Sequence, residues 1–209
     1  MDNGSTDGTF AVAERLSRHP DVVSLRLDKP GRGRALRHAW QLGSAGVVCY
    51  MDVDLSTDLA FLKPLVEAVA TGGYQISTGS RLLPGSRIRR SFRRSVVSRI
   101  YNWFLHAALG TRFSDAQCGF KAVQREVVSR IVPQVRDESW FFDTELLVLA
   151  ERSGCRIKDI PIVWVEDDDS RVKILRTAWD DIKGVIRLRR TLRRRGQGTE
   201  LVPAARRQG

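Results

Sequence analysis

The run Gly46-Val47-Val48-Cys49-Tyr50-Met51 is apolar from end to end and stops at Asp52-Val53-Asp54. A short apolar run bounded by polar residues reads as a buried strand, and strands of that kind belong to sheets covered by helices. This one delivers two carboxylates to its C-terminal end, where open α/β sheets bind ligands. Side chains two apart on an extended chain point the same way. Asp52 and Asp54 therefore form a pair of hard oxygen donors suited to Mg²⁺ or Mn²⁺ shared with a substrate diphosphate. Taken alone, such a pair is more often a solvated loop. Cys49, inside the run, reads as core.

The rest of the chain alternates in the same style. The loop Asp2 to Gly8 leads into a helix around Thr9–His19, followed by a strand at Val22–Leu27 and a helix at Arg32–Leu42. After the 46–51 strand comes a helix at about Leu59–Ala70, whose firm part Pro64 places later than the pattern starts. Tyr74–Gly79 is a strand. Regular β/α succession predicts βαβ units and a mostly parallel, Rossmann-like sheet flanked by helices. Beyond Arg81 the pattern changes to a basic loop, an apolar helix near Ser91–Leu109 and short elements around Cys118–Val123. A helix at Phe142–Arg152, a strand at Ile157–Val165 broken by Pro161, and a helix at Ile174–Arg195 complete the domain. The basic Gly/Pro/Arg tail, residues 191–209, reads as disordered. The chain opens on the loop that should follow a first strand, so that strand is expected to be missing and the true start to lie upstream.

The net charge is +11, which points to a polyanionic partner: nucleic acid, an anionic membrane or a phosphorylated substrate. The charge is concentrated in two arginine clusters, residues 87–99 and 187–195. Stacking and groove-reading motifs are missing, which argues against nucleic acid. Three cysteines without metal spacing indicate neither a disulfide framework nor a zinc site. No stretch of about 18 apolar residues suggests a membrane span, and no signal peptide is visible.

Several motifs occur in a fixed order: Asp2-Asn3-Gly4-Ser5-Thr6-Asp7-Gly8-Thr9, Gly31-Arg32-Gly33 with Ala35-Leu36, and Asp52-Val53-Asp54. Gly79-Ser80-Arg81, Asp115-Ala116-Gln117-Cys118-Gly119-Phe120-Lys121, Phe142-Asp143-Thr144-Glu145-Leu146 and Ser170-Arg171-Val172-Lys173 follow. In these residues the chain resembles the family 2 glycosyltransferases of GT-A fold, and within them the dolichyl- or polyprenyl-phosphate hexosyl synthases. The resemblance covers about residues 1–190. It implies that Asp2 contacts the nucleotide base, with Arg32 also on the nucleotide side. Asp52 and Asp54 would hold the metal and diphosphate, and Arg171 and Lys173 would close over the diphosphate. Ser56, where relatives often carry a further ligand, is a poor metal donor. Arg81, Arg94 and Ser98 match positions that hold the acceptor phosphate; Arg94 and Ser98, four apart, would share a helix face. Asp115 lies near the expected donor sugar, or caps a loop. Asp143 matches a position that acts as base toward hydroxyl acceptors.

The implied reaction is inverting, metal-dependent transfer of a hexose from a nucleotide-diphosphate sugar to a polyprenyl or dolichyl phosphate. UDP-glucose is favoured over GDP-mannose on the wording of the Gln117–Lys121 and Phe142–Leu146 motifs. The helix near 91–109 is either core or an interfacial helix, and the basic C-terminal helix would add electrostatic anchoring. The expected location is peripheral, on the cytoplasmic face of a membrane. A glycan or cell-wall hydroxyl acceptor is the alternative, with Asp143 as true base. A non-catalytic basic protein binding membrane or nucleic acid leaves the ordered motifs unexplained.

Overall fold

The structure, a computed structural model, describes residues 1–165 and 174–197. A four-stranded sheet is built from β1 (Val47–Met51), β2 (Ile76–Ser80), β4 (Phe120–Gln124) and β5 (Ile157–Pro161), in the spatial order β1-β4-β2-β5. β2 and β5 are parallel, whereas β4 runs antiparallel to both β1 and β2. Three strands thus share one direction, as the βαβ pattern implies, and a reversed strand is inserted among them. The sequence shows β4 as a short element only, so the two antiparallel pairings it creates were not foreseeable. A second, parallel pair joins β3 (Arg87–Arg89), read from the sequence as basic loop, to β6 (Val163–Val165).

The period-2 alternation of β4 divides the core. Phe120 and Ala122 pack with Leu65, Val69, Cys118 and Ile162 under α3 (Leu62–Ala70). Val123 faces the larger cluster with Leu105, Phe142, Leu146 and Leu147. α3 is preceded by a 3₁₀ turn at Leu59–Phe61, as Pro64 predicts. α6 (Phe142–Arg152) lies at the centre of the large cluster and is buried from Phe142 to Ala150. Its polar residues are all partnered: Thr144 with Tyr101 at 3.0 Å, and Glu145 with Arg187 at 2.7 Å and the Asp137 amide at 2.9 Å. α4 (Phe92–Leu109), capped by Ser91, and α7 (Ile174–Gln197) pack on this side. α5 (Arg125–Arg130) follows β4 directly.

Two local expectations need correction. Val22–Leu27 is no strand: it is extended backbone with a single bridge, Asp2 to Arg26, closed by hydrogen bonds of 2.6 and 3.0 Å. Among the described residues Asp2 is the one that pairs with it, and one residue cannot make a ladder. α1 (Thr9–Leu16) beside it has no buried residue. Cys49 is exposed rather than core: β1 is an edge strand of the sheet, and only its neighbours Val47 and Met51 on the same face pack against the cluster under α3. α2 (Arg32–Leu42) and α6 have the bounds the sequence predicts. Residues 166–173 and 198–209, including Arg171, Lys173 and most of the basic tail, lie outside the described residues.

Asp181 docks α7 onto the core. It is buried and accepts a 2.7 Å hydrogen bond from Gln117, with the Tyr101 hydroxyl also beside it. Burial, with Asp137 and Asp180 nearby, pushes its carboxyl up to about 7, against the lowering effect of the Gln117 bond. An unfolded aspartate titrates near 3.9. Between these values the folded chain holds a proton that the unfolded chain has lost, so stability falls as pH rises, and the penalty is complete above about pH 7. Asp181→Asn keeps an acceptor for Gln117 and removes the charge. Its melting temperature should exceed the wild type's by several degrees near pH 8 and match it near pH 4, as read by circular dichroism.

Candidate active site

The site grows from one cross-strand pair. Tyr50 on β1 stands opposite Lys121 on β4, and both side chains point toward α6. The Lys121 ammonium donates to the Tyr50 hydroxyl at 3.3 Å and to the carbonyls of Ala116 and Cys118. Asp143, in the first turn of α6, meets this pair: one carboxylate oxygen accepts from Tyr50 and lies 3.5 Å from Lys121, and the other accepts from Arg32. A carboxylate in a helix's first turn also gains from the helix dipole. Burial pushes the Asp143 carboxyl up. Arg32, Lys121 and Tyr50 more than offset this and hold it below the usual carboxylate range.

Arg32 reaches this position because α2 starts there and approaches α6 closely. At Gly33 a Cβ would lie 2.6 Å from Phe142, so any side chain would push the two helices apart. The Arg32 guanidinium packs over the rings of Tyr50 and Trp140, each 5.3 Å away. Its second arm donates to Asp52 at 2.9 Å. Arg32, Asp52 and Asp143, far apart in sequence, therefore form one ionic chain.

Asp52 and Asp54 follow β1 in a tight turn. The Leu55 amide donates to the Asp52 carbonyl, Asp54 accepts from the Ser56 amide at 3.0 Å, and Leu55 takes a positive φ of 51°. That conformation is uncommon for a non-glycine residue and clusters at functional turns. The turn is fixed from behind, where Val165 donates to the Ser56 carbonyl at 2.9 Å and Thr57 bridges Trp164. A small cleft there is lined by Asp52, Asp54, Ser56 and Trp164. Asp52 is half-exposed, and Gly119 cradles it: a Cβ there would fall 1.8 Å from its carboxylate.

The donor set fits a divalent cation in part. Two carboxylates open to solvent, and the buried Ser56 hydroxyl beside them has no partner. Among the described residues no group of three or more His, Cys, Asp or Glu side chains gathers to hold a metal. Remaining ligands would have to come from water and a diphosphate, which is how Mg²⁺-type ions are usually bound.

The other predicted residues sort into two groups. Arg81 and Asp115 face each other in a two-pronged pair at 2.7 and 2.9 Å, and the Arg81 amide adds a third bond at 3.1 Å. Burial raises the Asp115 carboxyl, and Arg81 outweighs it, so the net shift is downward. Arg94 and Ser98 lie on α4, but Ser98 accepts from Arg90, at 3.2 Å, which also holds Ser95. Arg81 and Arg90 both stack against Trp164, at 5.7 and 5.9 Å. Asp2 is buried, 3.5 Å from Arg26, with one carboxylate oxygen unpartnered. Sequence reasoning assigned no role to Tyr50, Lys121, Arg90 or Trp164. A lysine in an apolar strand was the visible signal for the first pair.

Gly119→Ala should displace the Asp52 carboxylate. The expected result is loss of Mn²⁺ binding by electron paramagnetic resonance, with the far-ultraviolet circular dichroism of the wild type retained.

Comparison with known proteins gives the family and the fold. Residues 1–132 match the family model described as Glycosyl transferase family 2. The chain is 38% identical over 177 residues to glycosyltransferase AglD of Haloferax volcanii, covering 84% of this chain and 28% of that protein. It is 28% identical over 200 residues to the dolichyl-phosphate beta-glucosyltransferase of Dictyostelium discoideum, covering 90% and 61%. To the polyprenol monophosphomannose synthase of Mycolicibacterium smegmatis it is 32% identical over 174 residues, covering 79% and 65%. The chain thus spans less than two thirds of the length of each of these relatives. The fold matches glucosyl-3-phosphoglycerate synthase from Mycobacterium tuberculosis in complex with UDP, with a TM-score of 0.64 at 22% identity over 89% of this chain and 66% of that one. The fold is therefore the GT-A fold, and the chain belongs to glycosyl transferase family 2.

Proposed function

We propose that this domain transfers a hexose, glucose in preference to mannose, from a nucleotide-diphosphate sugar to a polyprenyl or dolichyl phosphate, with inversion. The observation that carries the acceptor class is the saturation of Asp143. Both of its oxygens are engaged by Arg32, Tyr50 and Lys121, it is buried, and its proton affinity is lowered. A general base must reach the proton it removes and hold it near the working pH. Asp143 is poorly suited to either task. A phosphate monoester is ionised near neutral pH and needs no base: its oxygen attacks the anomeric carbon, the bond to the diphosphate breaks, and no proton moves.

Asp52 and Asp54 are the residues that would hold Mg²⁺ or Mn²⁺, which when bound neutralises charge on the departing diphosphate. Arg32 orients the carboxylates, and Arg81, Arg94 and Ser98 are proposed to receive the acceptor phosphate, with Arg90 beside them, bonded to Ser98 and stacked with Arg81 on Trp164. Arg171 and Lys173 are proposed to close over the diphosphate. Names of relatives support the reading: both a dolichyl-phosphate glucosyltransferase and a polyprenol monophosphomannose synthase are similar to this chain. The motif wording favours UDP-glucose over GDP-mannose.

A lipid acceptor requires a membrane, and two helix faces suit its surface. No helix among the described residues is long and apolar enough to cross one. α4 instead turns Phe92, Ile100 and Trp103 outward, 81%, 59% and 69% exposed, beside Arg93 and Arg99. α7 exposes Trp179, Ile182 and Ile186. A groove of about 440 Å³ along it is lined by Arg136, Lys183, Arg187, Arg190 and Arg194. Apolar side chains flanked by arginines are the composition of an interfacial helix. We therefore place the domain peripherally, on the cytoplasmic face.

The reaction is tested by incubating the protein with Mn²⁺ or Mg²⁺, a short-chain polyprenyl phosphate and labelled UDP-glucose or GDP-mannose. Label should enter the organic phase from UDP-glucose and be lost in Asp54→Ala. Label from GDP-mannose alone would reverse the sugar assignment, and label from neither donor would refute the acceptor. For the surface, the wild type should float with anionic vesicles. Trp103→Glu should lower the bound fraction severalfold, more so in high salt, because charge and insertion act together.

A further inference from the structure

Arg32 is bonded to two carboxylates at once, Asp143 by one arm and Asp52 by the other at 2.9 Å. We propose that Arg32 is a resident cation on the metal-ligand carboxylate: it holds Asp52 until metal and nucleoside diphosphate arrive together, then passes that arm to the diphosphate. The inference rests on the reading of Asp52 and Asp54 as metal ligands and adds a device that regulates the site. Its other arm stays on Asp143, so only one hydrogen bond changes hands.

The geometry makes the exchange conditional. The Arg32 side chain is 16% exposed and packed over Tyr50 and Trp140. The Asp52 bond lies at the solvent-exposed end of the ionic chain, where an arriving diphosphate can take over the arm. A dication arriving alone meets a guanidinium on the same carboxylate and is repelled. A diphosphate supplies the acceptor that Arg32 needs, so nucleotide and metal each favour the other, and this coupling is reciprocal. Among the described residues no cation bonds Asp54, which accepts from the Ser56 amide at 3.0 Å.

The test is a Mn²⁺ titration of the 209-residue protein by electron paramagnetic resonance, with and without saturating UDP. It compares wild type, Arg32→Met, Arg32→Lys and Asp54→Ala. Arg32→Lys keeps a positive charge beside the buried Asp143 but is too short to span both carboxylates, so it serves if Arg32→Met does not fold. Removing a unit charge from about 5 Å of a dication in a water-like dielectric is worth roughly tenfold in affinity. Arg32→Met should bind Mn²⁺ alone about tenfold more tightly than wild type and Arg32→Lys more tightly by a smaller factor, because its charge is retained but withdrawn from Asp52; UDP should strengthen the binding of both less. If both variants bind Mn²⁺ no more tightly than wild type, while Asp54→Ala abolishes binding, the metal site stands and the resident-cation device is wrong. If wild type binds no Mn²⁺ even with UDP, or Asp54→Ala binds as well as wild type, the metal-site reading itself fails.

Discussion

The buried Asp143 carboxylate is the point on which the site depends. An isolated charge at that depth would be prohibitive, and removing a partner from a buried ion pair costs about 3–5 kcal/mol. The fold satisfies Asp143 from three directions: Arg32 from α2, Tyr50 from β1 and Lys121 from β4. Each of those elements is thereby fixed relative to α6. The interaction that neutralises a core charge also sets the distance from α6 to the end of β1, where Asp52 and Asp54 emerge.

The same economy appears across the cleft. Asp115 is buried and satisfied by Arg81, and Trp164 presents its ring to both Arg81 and Arg90. The β3–β6 pair brings Trp164 there and also backs the Asp54 turn through Ser56 and Thr57. The Asp52–Asp54 turn and the Arg81–Asp115 pair are in this way joined by one short two-stranded sheet. Glycines make the close approaches: Gly33 lets α2 meet α6, and Gly119 leaves room for Asp52.

Carboxylates in this cleft differ in role because their surroundings differ. Asp143 and Asp115 are buried and saturated with cationic partners, a setting that holds both carboxyls in the ionised form. Asp52 and Asp54 open to solvent and remain able to take a ligand, one of them restrained by Arg32. That contrast supports an acceptor that arrives already ionised, which in turn fits the outward apolar and basic faces of α4 and α7.

The sequence by itself determined the elements whose signals are local. Apolar periodicity set α2 and α6, Pro64 marked the late start of α3, and the ordered motifs identified the family before any contact was known. Tertiary structure decided the rest. Val22–Leu27 has strand composition but only Asp2 to pair with, so it stays a single bridge. Cys49 looked like core and is exposed, because its strand lies at the edge of the sheet. The reversal of β4 and its register placed Lys121 opposite Tyr50, and only that register turned a lysine in an apolar run into the partner of Asp143. Local patterns specify which residues are extended or helical. Which charges meet depends on long-range pairing, and that is settled only when the sheet and helices have packed.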